Sequence, residues 1–208
     1  MGMRYNPEKH GYTGKMFERD FVGGVKKDDA YYDALANWAR FEAAQKIRGK
    51  FEDMPKPDIS PENEKNTYLS FNHSLDIAKR FQDDDPTNPQ KEFARDLRIE
   101  IADLLGITDD EDMQRIRFYS SADTSLDWYH GTDCFIEYTD TNGETHMYRF
   151  DLTENPQKSE ETFNKKGAMI VNDLPDPQEE SDAYLGKIHS IAEEVARQFH
   201  AEESERAA

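Results

Sequence analysis

Two aspartates stand at the ends of neighbouring strand-like segments. Asp133 precedes Cys134-Phe135-Ile136-Glu137-Tyr138, and Asp151 lies near the end of Thr145–Thr153. Whether they meet depends on the register of the hairpin between them. Its loop, Asp140-Thr141-Asn142-Gly143-Glu144, carries an Asn-Gly turn signal that allows two pairings. A two-residue loop sets Cys134 against Asp151 and Ile136 against Arg149, mixing polar and apolar partners on each face. A three-residue loop, with Gly143 in the left-handed conformation, sets Cys134 against Phe150, Ile136 against Tyr148 and Tyr138 against His146. A slip of one residue turns every side chain to the other face, so the hydrophobic pattern selects the three-residue loop.

In that register Asp133 faces Asp151 directly. Thr153 shares their face, and Glu137 and Arg149 are diagonal neighbours placed to form an ion pair. Like charges opposite one another destabilise a sheet. Three arrangements relieve the repulsion: a divalent cation held by the oxygens, a neutralising Lys or Arg, or open water at a frayed sheet end.

The elements that must position this couple are legible on either side of it. Residues 1–28 show no lasting periodicity and read as irregular. Tyr31, Ala34, Leu35, Trp38, Phe41 and Ala44 recur at helical spacing, which predicts a helix over 29–50 capped by Asp28 or Asp29. Pro55, Pro57 and Pro61 mark 52–66 as a loop or linker. This divides the chain into an N-terminal extension, 1–66, and an α/β core, 67–208. A short helix over 75–81, with Ser74 as its cap, opens the core. A helix follows the Asp83–Pro89 start signals, with a stripe of Phe93, Leu97, Ile101, Leu104 and Leu105 and a stop at Gly106. Strands are predicted at 115–120, 133–138, 145–153 and 168–172. Tyr184, Ile188, Ile191, Val195 and Phe199 define a last helix over 181–200, and the tail beyond is expected to fray. The order predicts a mixed α/β fold, with a small, mostly antiparallel central sheet flanked by helices.

An acid heading the second strand of a meander, and another in a triplet ending the third, resembles the PD-(D/E)XK nuclease superfamily over residues 90–200. The matching segments are Gly131-Thr132-Asp133 and Asp151-Leu152-Thr153. The resemblance implies a restriction-endonuclease-like core and metal-assisted hydrolysis of phosphodiesters, as in nucleases of bacterial or phage origin. It implies Mg²⁺ or Mn²⁺ held by Asp133, Asp151 and a helical glutamate. Glu100, at the edge of its helix's apolar stripe, is the candidate for that glutamate. Thr153 would orient the attacking water, and Lys158 would stabilise developing charge. The chain departs from the family pattern in three ways. Thr153 occupies the position of the motif lysine, which Lys158 would have to replace from five residues on. No proline precedes Asp133. A fourth strand directly follows the third unless a short helix lies in 157–166.

Composition limits the partners. The 208 residues carry a net charge of −18, which opposes nucleic-acid binding except through a local basic patch. Lys158, Lys165, Lys166 and Arg149 are the candidates for such a patch. The same charge suits a non-catalytic acidic protein that binds another protein. One cysteine, Cys134, excludes an internal disulfide framework and a cysteine-based zinc cluster. It falls on the apolar face and reads as a buried thiol. No long apolar run or leader-like segment is present, so a cytoplasmic protein with no membrane partner is expected. The histidines show no metal-ligand spacing. Asp140-x-Asn142-x-Glu144 has its glycine at the fourth position and not the sixth, which excludes a calcium loop of EF-hand type.

Overall fold

The computed structural model describes residues 14–153 and 163–207. The chain is mixed α/β, with one four-stranded sheet between helical layers. In chain order the elements are α1 (Gly14–Val22), α2 (Asp29–Lys46), α3 (Phe71–Arg80), α4 (Glu92–Leu104), α5 (Asp110–Met113), β1 (Ile116–Ser120), α6 (Ser125–His130), β2 (Cys134–Thr139), β3 (Thr145–Thr153), β4 (Met169–Asn172) and α7 (Ser181–Ala207). The strand order is β1-β2-β3-β4; β1, β2 and β3 run antiparallel, and β4 runs parallel to β3.

The hairpin takes the predicted three-residue loop. Cys134 pairs with Phe150, Ile136 with Tyr148 and Tyr138 with His146. Asp140 accepts the N–H groups of Asn142 and Glu144, both at 2.8 Å, and Gly143 closes the turn at φ +84°. That conformation carries no penalty for glycine alone.

Alternation along the strands then assigns two faces. Ile116, Phe118, Cys134, Ile136, Tyr138, Tyr148, Phe150 and Leu152 form one apolar core with α4 and α7. Phe93, Leu97 and Ile101 of α4 meet Tyr184, Ile188, Ile191, Val195 and Phe199 of α7 there. The other face carries Tyr119 and Phe135, which stack at 4.9 Å beneath α3 and Leu126 of α6. Outside α3 lies α2. Tyr31, Ala34 and Leu35 pack with Val25, Leu69 and Ile77 in a separate cluster.

Several local expectations change. Residues 14–22, read as irregular, form α1, and its Val22 reaches the main core. α3 begins at Phe71 behind Ser70, so Ser74 is not a cap; it lies buried inside the helix with its hydroxyl on Ser125. α6 was not anticipated; Thr124 caps it and Gly131 ends it. The last helix continues to Ala207, past the expected fraying point. Glu137 and Arg149 do not pair. Glu137 is buried and holds the Lys79 ammonium at 2.8 Å, whereas Arg149 donates to the Lys166 carbonyl at 2.6 Å and lies over the Phe71 ring. Arg149 turns to Lys166 because residues 166 and 167 lie against its guanidinium.

Hydrogen bonds also cross the position near residue 66. Lys27 reaches Asp123 at 3.2 Å, and the Tyr129 hydroxyl donates to the Lys65 carbonyl at 2.5 Å.

Candidate metal centre

The β2–β3 register, continued one residue past Cys134–Phe150, sets Asp133 against Asp151 on the face away from α4 and α7. The start of β2 fixes Asp133 tightly. Its N–H donates to the Phe150 carbonyl at 2.8 Å, and its carbonyl accepts from the Ser121 N–H at 2.8 Å. Its carboxylate accepts the Leu152 N–H at 2.6 Å. Preceding it, Gly131 ends α6 in the left-handed conformation at φ +58°. A side chain there would bring Cβ within 2.9 Å of the Asn164 amide, so only glycine admits that close approach.

Asn164 closes the other side of the couple. Its amide donates to Asp151 at 2.9 Å and to the Gly131 carbonyl at 2.8 Å. Its side-chain oxygen accepts from the N–H groups of Lys166 at 2.9 Å and Ala168 at 3.0 Å. One buried-edge amide thus ties the end of β3 to the loop on either side of it.

Two further carboxylates converge on Asp133. Glu18 of α1 and Asp127 of α6 each place an oxygen within 4.8 Å of it and of each other. Asp127 also accepts the Asp123 N–H at 2.9 Å. Asp133 is buried, and Glu18 and Asp127 are half-buried, so the group opens toward solvent on their side. Burial, followed by the charges of Asp127, Glu18 and Asp151, raises the Asp133 carboxyl well above the usual carboxylate range; the Leu152 N–H opposes the rise. The physical content is an affinity for positive charge at this point, whether a proton or a cation. The donors are all hard oxygens, which fit Mg²⁺ or Mn²⁺ and do not suit soft metals.

Of the residues read from sequence, Asp133 and Asp151 come to face each other in the register, and Asp133 but not Asp151 belongs to the carboxylate group. Thr153 lies on the same strand face and pairs with Asn172 in the β3–β4 register. Lys158 lies outside the described residues. Glu100 is absent from the carboxylate group: it binds His189 of α7 at 2.5 Å, in the layer that covers the opposite sheet face. Sequence reasoning missed Glu18 and Asp127. Glu18 sits in a segment without clear periodicity, and Asp127 follows a Thr124 cap in the short α6. A signal for α6 existed in Thr124-Ser125-Leu126-Asp127 ahead of Gly131.

Positive groups do lie nearby. Lys166 donates its ammonium to the Tyr129 carbonyl beside Gly131. Lys27 and Lys65 lie over the Trp128 ring at 5.1 and 5.2 Å. The region 157–166 could not be read as a helix throughout: Phe163 bridges Met169 and 165–167 form a turn, while 157–162 lie outside the described residues. His130 is an ordinary structural histidine, bound to the Leu69 carbonyl at 2.9 Å among the rings of Tyr68 and Phe71. Cys134 is buried, and burial raises its thiol well above the ordinary value. No described helix is long and apolar enough to cross a membrane. Comparison with protein-family models, with curated proteins and with solved structures gives no match.

Proposed function

We propose that this protein is a divalent-metal-dependent nuclease whose centre is built on Asp133 and Asp151. The observation that carries the reading is the convergence of Glu18 and Asp127 on Asp133, across the strands from Asp151. The helical acid of the site is then Glu18 and not Glu100.

The chain's own residues have distinct tasks. Asp133, Glu18 and Asp127 hold the cation, and Asp151 adds negative charge from the facing strand. Bound Mg²⁺ or Mn²⁺ supplies Lewis acidity toward a phosphoryl oxygen and a more acidic water. Thr153 lies next along the face of Asp151, where its hydroxyl orients a nucleophilic water. Asn164 holds the Asp151 carboxylate in one orientation. Lys166, beside Gly131, supplies the positive edge that a phosphate backbone needs on a chain of net charge −18. Lys158 keeps its proposed part in stabilising developing charge.

A second reading is a non-catalytic acidic protein that binds a basic protein surface. Two observations favour it: the net charge, and threonine at 153 where the nuclease motif carries lysine. Cleavage separates the two. Single- and double-stranded DNA and RNA are incubated with the protein and Mg²⁺ or Mn²⁺, beside Asp151→Ala. The nuclease reading predicts metal-dependent cutting that the variant loses. Folded protein that cuts none of these substrates supports the binding protein.

A further inference from the structure

The hairpin tip carries a different group of donors, outside the Asp133 centre. Asp140, Glu144 and His146 each place a ligand atom within 4.8 Å of the others. We propose that they form a second divalent-metal site, of zinc class, anchored to the C-terminal helix through Glu202.

Asp140 spends Oδ1 on the N–H groups of Asn142 and Glu144, both at 2.8 Å. That fixes the carboxylate and leaves Oδ2 toward His146, 3.5 Å from Nε2. The His146 ring is sealed in the core face of the hairpin, its side chain 1 % exposed. Its other nitrogen, Nδ1, lies 2.6 Å from Glu202 Oε2 on α7. A carboxylate at that distance accepts the Nδ1–H, and in that tautomer the lone pair lies at Nε2.

That lone pair faces an anionic oxygen. Nε2 makes no hydrogen bond among the described residues despite its burial. Buried polar atoms in native proteins are almost always satisfied, so an exception calls for a partner. A cation between Nε2 and Oδ2 provides one. A tetrahedral zinc ion has nitrogen and oxygen ligands about 2.0–2.2 Å away, which puts two of its ligands about 3.4 Å apart. The 3.5 Å seen here matches that separation and exceeds a direct N–H···O bond. A carboxylate holding the far nitrogen of a metal-bound histidine is the usual outer-shell arrangement, and Glu202 occupies that place. Glu144, exposed at the turn, brings the third donor. The imidazole in the set favours Zn²⁺ over Mg²⁺ or Ca²⁺. The bound ion would fasten the β2–β3 hairpin to the end of α7.

The test is a zinc titration of the full chain by calorimetry, with Asp140→Asn, Glu144→Gln, Glu202→Gln and His146→Gln. Asp133→Asn controls for the other centre. Asp140→Asn keeps the turn acceptor, and Glu144→Gln changes an exposed residue, so both variants fold if His146→Gln does not. The proposal predicts one zinc ion per chain. Affinity should fall at least about 10-fold in Asp140→Asn and Glu144→Gln, and about 10-fold in Glu202→Gln. Asp133→Asn should leave it unchanged. Bound zinc should also shift the unprotonated His146 Nε2 resonance in nitrogen-15 spectra of the imidazole while Nδ1 keeps its proton. Absence of zinc uptake, or affinity unchanged in Asp140→Asn and Glu144→Gln, overturns it. So does an imidazole that stays protonated on both nitrogens in the presence of zinc, which would mean that Glu202 and Asp140 clamp an imidazolium.

Discussion

Asp133 and Asp151 face each other across β2 and β3, and each is held by a different donor: the Leu152 N–H at 2.6 Å for Asp133 and the Asn164 amide at 2.9 Å for Asp151. Hydrogen bonds fix both carboxylates without removing their charge. With Glu18 and Asp127 added, the site concentrates negative charge at a buried point of the sheet. Such an arrangement opposes folding locally and gains from a bound cation.

Asp133→Asn relieves this repulsion while keeping an oxygen for the Leu152 N–H. The metal-free variant should therefore be more stable than the parent at neutral pH, by about 1 kcal/mol. It should also lose the rise in melting temperature that Mn²⁺ gives the parent. Thermal unfolding with and without Mn²⁺ measures both.

Asn164 makes four hydrogen bonds from one amide, to Asp151, Gly131, Lys166 and Ala168. Asn164→Ala should cost about 2–3 kcal/mol in urea unfolding, since each lost bond contributes about 0.5–1.5 kcal/mol net. Asn164→Asp should cost more, because a carboxylate then meets Asp151. On the proposed nuclease reading, both variants should lower metal-dependent cleavage, because neither keeps the amide that orients Asp151.

The Lys79–Glu137 pair predicts an asymmetry. Glu137 is buried, whereas the Lys79 side chain is more than a third exposed. Lys79→Met leaves an uncompensated buried carboxylate and should cost about 2–3 kcal/mol. Adding Glu137→Gln should recover much of that loss. A double-mutant cycle in urea reads the coupling.

The Glu100–His189 contact predicts a pH dependence. The hydrogen bond that His189 donates to Glu100, with smaller help from Glu193, raises the imidazole above its ordinary value of about 6.5. A histidine raised on folding stabilises fully below its unfolded value, and the effect is lost as pH rises through the folded value. Proton NMR should show His189 titrating above an unperturbed histidine and falling back in Glu100→Gln. The variant's stability should then approach that of the parent above the folded value.

The sheet was readable because its apolar residues alternate. Only one register placed Cys134, Ile136 and Tyr138 against Phe150, Tyr148 and His146, and that register carries Asp133 to Asp151. The stripes on α4 and α7 were equally plain. What a stripe does not encode is the sheet face that a helix covers. Glu100 sits at the edge of the α4 stripe as expected, but α4 covers the face opposite the aspartates. Glu18 and Asp127 were hidden for another reason: short helices carry too few turns to declare a period. The outer partner of the hairpin-tip group was hidden because Glu202 lies 56 positions from His146 and only the docking of α7 joins them.

The proposed function rests on a divalent cation held by the carboxylates around Asp133. Electron paramagnetic resonance of Mn²⁺, titrated into the parent and into Asp133→Asn and Glu18→Gln, tests it most directly. Asp140→Asn is included in every protein to silence the hairpin tip. The parent should bind one Mn²⁺ per chain, with affinity reduced at least about 10-fold in each variant. Equal Mn²⁺ uptake by the parent and by folded Asp133→Asn and Glu18→Gln proteins, or no uptake by the parent, would contradict it.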